Sequence, residues 1–205
     1  FPDSQLIIWP ETAFPDFFNS NYRFNDLPNL VLSFARDQNK ALMTGSYSKD
    51  PPGPKIKNAD RQIYNGLFLV DEFGQYVGEP YHKTVLLAFG EYYPFTERFP
   101  ILQKWFNVSN FGRGPGPSIL SWHDVKFGAQ ICYEGLYPSF SRSLANKGAN
   151  ILVNVTNDSW FGKAFEPLQH MYITFGRAIE TRLPLIRNTN TGISTVMLAD
   201  GTLLE

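Results

Sequence analysis

The sequence contains little of what several classes of protein require. It has one cysteine, which excludes an internal disulfide framework and a cysteine-rich zinc site. Its three histidines are scattered without paired ligand spacing, so we expect no bound metal. With 18 Lys and Arg against 19 Asp and Glu, it lacks the basic excess that non-specific nucleic-acid binding needs. No apolar run approaches the roughly 20 residues of a membrane-spanning helix.

Aromatic residues, in contrast, are abundant and make up 16% of the 205 residues. Many of them adjoin proline or glycine, as in segments 14–18 and 92–111. Aromatic rings combine a large apolar area with a polar tip, and they are enriched where proteins meet membranes or apolar ligands. The alternative is ordinary packing in the core and in loops, and composition alone favours it.

Short apolar stretches alternate with amphipathic ones along the chain. The apolar runs predict strands at 5–9, 41–47, 63–71, 125–131, 151–155, 184–187 and 193–198. A helical period predicts helices at 27–39, 139–146 and 167–181, and a hairpin joins 63–71 to 75–77 across Gly74. This interleaving predicts an α/β fold with mixed sheets, in a single domain over residues 1–205.

Three residues of chemical interest stand at the ends of predicted strands. Cys132 follows the strand at 125–131 and precedes a sharp turn, where a nucleophile lies near backbone N–H groups that can hold an oxyanion. Glu11 follows the strand at 5–9, and Lys83 leads into the apolar stretch 84–89, which we interpret as a further short strand. Each also has an ordinary interpretation, because a lone cysteine is commonly a buried apolar residue and a charged residue at a strand end is commonly solvated.

Taken in chain order, Glu11, Lys83 and Cys132 resemble the Glu-Lys-Cys triad of the nitrilase, or carbon–nitrogen hydrolase, superfamily. Four blocks narrow the resemblance to the apolipoprotein N-acyltransferase family within it. They are IWPETA at 8–13, HK through FGEY at 82–92, ICYE at 131–134 and NDSWFG at 157–162. The residues after Cys132 keep only part of the pattern that is typical of soluble nitrilase relatives.

The resemblance implies a nitrilase-like α-β-β-α sandwich that is incomplete at both ends, with no cofactor. It implies the periplasmic domain of an enzyme of the bacterial inner membrane, with the family's membrane helices absent from this chain. Glu11 would be the general base, Cys132 the nucleophile and Lys83 the oxyanion-stabilising cation, held by Glu91. The backbone N–H of Tyr133 would be a second oxyanion donor, and Glu134 would shape the acceptor pocket.

The reaction implied by the resemblance is acyl transfer through a cysteine thioester. The donor would be a phospholipid, and the acceptor would be the N-terminal amine of the diacylglyceryl-cysteine of an apolipoprotein. Segments 14–18 and 92–111 would then be membrane-facing loops that shield the thioester and accept acyl chains, with packing inside a large loop as the alternative. Two alternatives stay open. One is a soluble amidase or nitrilase with the same triad, and the other is a non-catalytic binding domain that has kept the fold.

Overall fold

The first of two mixed sheets is built from the N-terminal part of the chain. The computed structural model describes residues 3–18, 27–49, 62–94, 110–161 and 165–204. The first sheet contains β1 (Leu6–Ile8), β2 (Phe14–Phe17), β3 (Ala41–Lys49), β4 (Ile63–Val70) and β5 (Tyr81–His82). Its order is β1-β3-β4-β5, and β2 also pairs with β3. Strands β1 and β2 run parallel to β3, whereas the β3–β4 and β4–β5 pairs are antiparallel.

The second sheet is built from the C-terminal part. It contains β6 (Ile119–Trp122), β7 (Val125–Ile131), β8 (Ile151–Thr156), β9 (Leu185–Thr189), β10 (Thr195–Met197) and β11 (Leu203–Leu204). These lie in the order β11-β10-β9-β8-β7-β6. The three central strands β7, β8 and β9 are parallel, and the outer pairs are antiparallel. Parallel neighbours bring their carboxyl ends to one edge, which is where α/β proteins commonly place a site.

Three described helices cover the outer faces of the sheets: α1 (Leu27–Gln38), α2 (Pro138–Asn146) and α3 (Glu166–Thr181). The two-residue period of the strands divides the apolar side chains between two cores. Leu42, Phe68 and Val70 pack with residues of α1, whereas Met43, Leu67 and Leu69 belong to the core shared with the second sheet. Residues of α2 and α3 complete that larger core. The predicted α-β-β-α arrangement with mixed sheets is confirmed.

Two expectations from the sequence are wrong. Segment 14–18 is not a membrane-facing loop, because it contains strand β2 and because Phe14 and Phe18 are 7% and 1% exposed in the core beneath α1. Lys83 does not lead into a strand; it follows the two-residue strand β5, and the described residues after it form turns and loop. Of segment 92–111, residues 95–109 lie outside the described part, as does Gly162 of the NDSWFG block.

No helix within the described residues is long and apolar enough to span a lipid bilayer.

Candidate active site

Glu11, Lys83 and Cys132 line one cavity of about 200 Å³. Glu11 follows β1, Lys83 follows β5 and Cys132 follows β7, so both sheets contribute to the cavity wall. The other lining residues are Thr12, Tyr47, Asn65, Leu87, Gly90, Glu91, Phe111 and Asn157. The structure thus brings together the three residues that the sequence placed far apart. Their catalytic roles remain predictions.

Cys132 opens a 3-10 helix, Cys132–Leu136, with its backbone in the left-handed region at φ 51°. A non-glycine residue there is strained by about 1–3 kcal/mol, and such strain is common at functional sites. The backbone oxygen of Cys132 accepts a hydrogen bond from Asn154 Nδ2 at 3.1 Å. Burial raises the pKa of the Cys132 thiol to about 12, although the Lys83 charge and the Thr156 side chain oppose the shift. At neutral pH the free site therefore holds a thiol that needs a base to become a nucleophile.

The Glu11 carboxylate is 5% exposed and is fixed by three donors. Its Oε1 accepts from Asn65 Nδ2 at 2.7 Å and lies 3.4 Å from Lys83 Nζ, and its Oε2 accepts from the backbone N–H of Asn157 at 2.9 Å. Gly45 of β3 lies directly beneath this turn. A Cβ atom there would stand 2.6 Å from the Pro10 oxygen and 2.7 Å from the Glu11 Cα. Only glycine allows the Glu11 turn to pack this closely on β3.

Lys83 is 1% exposed and is held by two carboxylates. Its Nζ lies 2.8 Å from the Glu91 carboxylate and 3.4 Å from that of Glu11. Burial alone would lower the pKa of Lys83, but the charges of Glu11, Cys132 and Glu91 outweigh it and raise this pKa well above its usual range. Lys83 is therefore a permanent cation beside the thiol. Such a fixed charge can stabilise a developing oxyanion.

Two hydrogen bonds orient Glu91 besides its contact with the cation. Its Oε2 accepts from the backbone N–H of Leu87 at 2.9 Å, and its Oε1 accepts from Asn65 Nδ2 at 3.0 Å. Asn65 therefore bridges the two carboxylates, Glu11 and Glu91. Sequence reasoning missed this residue. The available signal was a single amide side chain within the otherwise apolar run of β4.

Tyr133 and Glu134 do not line the cavity. The Tyr133 ring packs at its edge against Tyr137, with centroids 5.5 Å apart. Glu134 is fully buried, and its four hydrogen-bond donors are all protein groups. Its Oε1 accepts hydrogen bonds from Tyr81 Oη at 2.6 Å and from the backbone N–H groups of Thr84 at 2.6 Å and Val85 at 3.0 Å. Its Oε2 accepts from the backbone N–H of Ile131 at 2.8 Å. The expectation that Glu134 shapes the acceptor pocket is a poor fit to this geometry, because its carboxylate ties the segment after β5 to the turn at Cys132.

A sequence model of the carbon-nitrogen hydrolase family matches residues 3–204. The chain belongs to the carbon-nitrogen hydrolase family. Solved structures with this fold include a carbon-nitrogen hydrolase from Helicobacter pylori, with a TM-score of 0.66 and 21% identity, covering 99% of this chain and 73% of that one. An amidase from Nesterenkonia sp. gives a TM-score of 0.66 at 22% identity, covering 98% and 72%.

Curated relatives point to one branch of the carbon-nitrogen hydrolases. The chain is 53% identical, over its whole length, to the apolipoprotein N-acyltransferase of Bdellovibrio bacteriovorus. It is 33% identical, over 97% of its length, to that of Geobacter metallireducens. The chain spans 38% and 36% of the lengths of these two relatives.

Proposed function

We propose that this chain is the catalytic domain of an acyltransferase that moves a fatty acyl group from a phospholipid to an amine through a thioester on Cys132. The acceptor is the N-terminal amine of a diacylglyceryl-cysteine in an apolipoprotein, and the setting is the periplasmic face of a bacterial inner membrane. The observation that carries the reaction type is one cavity lined by a carboxylate, an ammonium and a thiol. The names of the relatives support the donor and the acceptor.

In the first half-reaction, the Glu11 carboxylate takes the thiol proton and the sulfur attacks the carbonyl carbon of the lipid ester. The carbonyl oxygen becomes an oxyanion beside Lys83, with the Tyr133 N–H as the proposed second donor. The C–O bond then breaks, and the departing lysophospholipid oxygen takes the proton from Glu11. The products are a thioester on Cys132 and a lysophospholipid.

In the second half-reaction, the acceptor amine attacks the thioester carbonyl and gives a proton to Glu11. The C–S bond breaks, and the sulfur recovers its proton as the amide is released. This sequence balances because Glu11 starts and ends each half-reaction as a carboxylate. It also explains why Glu11 makes three fixed contacts, since a base that serves both halves must keep one orientation.

The surface beside the cavity suits an amphiphilic donor. Phe89, between the lining residues Leu87 and Gly90, is 71% exposed and meets Tyr93 edge-on. The Arg113 guanidinium lies 4.5 Å from the ring centroid of Tyr92, which follows the lining residue Glu91. An exposed apolar ring and a nearby cation match the acyl chain and the phosphate of a phospholipid.

The second candidate is a hydrolase of small amides or nitriles, and the amidase fold neighbours favour it. Incubation with phospholipid in detergent, followed by intact mass measurement, separates the two candidates. A fatty-acyl mass increase that is absent in Cys132→Ser supports the transferase. Turnover of short amides by the wild type without such an adduct would assign the hydrolase instead. Cys132→Ser retains the shape of the site and serves as the matched control in both arms.

A further inference from the structure

A closed cluster of buried polar side chains lies outside the cavity lining, and the reaction above makes no use of it. Asp158, Arg187 and His170 are each at most 3% exposed, and none of them lines the cavity. Asp158 Oδ2 accepts from Arg187 Nη2 at 2.7 Å, and Asp158 Oδ1 lies 3.1 Å from His170 Nδ1. Such a cluster is costly to bury, so its contacts with neighbouring groups indicate what it supports.

One arm of the cluster ends on the backbone of Cys132. Arg187 Nη1 donates to Asn154 Oδ1 at 3.0 Å, and Asn154 Nδ2 donates to the Cys132 oxygen at 3.1 Å. Because Arg187 fixes which way the Asn154 amide points, its nitrogen must face the Cys132 carbonyl. This arm holds the nucleophile in its left-handed backbone conformation.

A second arm ends beside the sulfur of the same residue. The parallel register pairs Ile131 of β7 with Val155 of β8, so the next residues, Cys132 and Thr156, are neighbours. Thr156 is fully buried, and its Oγ1 lies 3.3 Å from Asp158 Oδ1. Burial raises the pKa of the Cys132 thiol, and the Thr156 side chain is among the groups that lower it.

The two partners of Thr156 compete for a single hydrogen. A hydroxyl group has one hydrogen and can donate to Asp158 or to the sulfur, but not to both. Asp158 holds shorter contacts with Arg187 and His170, so the 3.3 Å contact with Thr156 is the weakest of the three. Turning the hydrogen away therefore leaves Asp158 with its two closer partners. A thiolate gains a donor at the moment when its charge forms.

We propose that Thr156 is a further catalytic residue, which turns its hydroxyl hydrogen from Asp158 to the Cys132 sulfur as the thiol proton passes to Glu11. Asp158, Arg187 and Asn154 are positioning residues that hold the hydroxyl and the Cys132 carbonyl. The inference rests on the proposed function only in taking Cys132 as the nucleophile. Thr156 neither gains nor loses a proton overall.

The rate at which iodoacetamide alkylates Cys132, measured between pH 7 and 11, tests this role without any lipid. Among the described residues, the charged groups that act on the sulfur are Glu11, Lys83, Glu91 and Arg187. A Thr156→Val substitution alters none of them. It should move the profile upward by about one pH unit, which is roughly tenfold slower alkylation at a fixed pH below the thiol pKa. Thr156→Ser, which keeps the hydroxyl, should restore the wild-type profile.

Thr174→Val is the matched control. Thr174 is fully buried on α3, and its hydroxyl has no hydrogen-bond partner among the described residues. This variant removes a buried hydroxyl of the same kind, and the alkylation profile should not move. Thr156→Ala provides the same test if the valine variant does not fold.

The role of Thr156 would be overturned if Cys132 were alkylated at the wild-type rate in the Thr156→Val variant. It would also be overturned if Thr156→Val and Thr174→Val slowed alkylation equally. A Thr156→Ser variant that stays as slow as Thr156→Val would overturn it as well. Failure of the wild type to form a fatty-acyl adduct, with the Thr156→Val shift intact, would count against the acyltransferase function alone.

Discussion

Two groups of buried charge act on Cys132, and they differ in their access to the cavity. Glu11, Lys83 and Glu91 line the cavity and combine two carboxylates with one ammonium. Asp158, Arg187 and His170 lie outside the lining, and one carboxylate there meets two nitrogen groups. The excess negative charge of the first group leaves a carboxylate able to accept a proton. The second group directs its hydrogen bonds to side chains and backbone, so burial of charge alone does not identify a catalytic group.

The sharpest test of this difference is Glu11→Gln. We expect roughly 10²–10⁴-fold lower turnover, because the amide cannot accept the thiol proton. The Glu11 charge raises the pKa of Cys132, so removing it should lower that pKa and shift the iodoacetamide profile to lower pH. The free energy of unfolding should fall by less than in Asp158→Asn, since Lys83 keeps its 2.8 Å partner Glu91.

Glu79→Gln, at an exposed position, is the control for this substitution. If Glu11→Gln retained turnover while its thiol pKa fell, Glu11 would act only through its charge, and the general base would have to be sought elsewhere.

In the second group, Asp158→Asn should lower the stability of the fold more than it lowers the rate of the reaction. Breaking a buried pair by removing one charge destabilises by about 3–5 kcal/mol, which urea unfolding at pH 7 can measure. Burial opposes ionisation of Asp158, but His170 and Arg187 outweigh it and lower its pKa below 3.8. The stabilisation is therefore complete above the unfolded pKa and is lost as the pH falls through the lower folded pKa. The variant should lose this acid dependence. A wild-type unfolding curve in Asp158→Asn would remove the distinction between the two groups.

Part of this site could be predicted from the sequence because strand ends can be recognised locally. The apolar run of β7 ends at Cys132, and that of β1 ends shortly before Glu11. The sequence could not show that Lys83 follows a strand, because the two residues of β5 are too few to show a period. The burial of Phe14 and Phe18 was missed for another reason: composition does not distinguish a core ring from a membrane-facing ring.

The sequence did not predict the second group, Asp158, Arg187 and His170, because its members are far apart along the chain. Arg187 and Asp158 are 29 residues apart, and their pairing follows only from the neighbouring positions of β8 and β9 in the sheet. Asn188 and Asn190 were missed for the same reason. Their side-chain amides donate to the backbone oxygens of Ile8 and Glu11, about 180 positions away, and so join the second sheet to the first. Such contacts depend on how the sheets pack, which no local pattern encodes.

In the first group, Glu91→Gln should lower turnover by an intermediate amount. Loss of a hydrogen bond to a charged group costs about 1.5–3 kcal/mol. Every 1.36 kcal/mol is tenfold in rate, so turnover should fall by roughly 10- to 150-fold as Lys83 loses its closer partner. Steady-state kinetics should place the change in kcat, because the cation acts on the oxyanion. A change confined to KM would assign Glu91 to substrate binding.

The smallest expected effect concerns the exposed cation beside the cavity. Because exposed ion pairs contribute about 0.2–1 kcal/mol, Arg113→Glu should lower kcat/KM for a phospholipid donor by roughly 1.4- to fivefold. Arg113 lies on the ring of Tyr92 and contacts neither Glu11 nor Lys83 in the described hydrogen bonds. Acylation by an uncharged ester such as p-nitrophenyl palmitate should therefore be unchanged. Arg142→Glu, at an exposed position on α2, controls for net charge. Equal losses with both donors would place Arg113 in the support of the cavity and not in phosphate recognition.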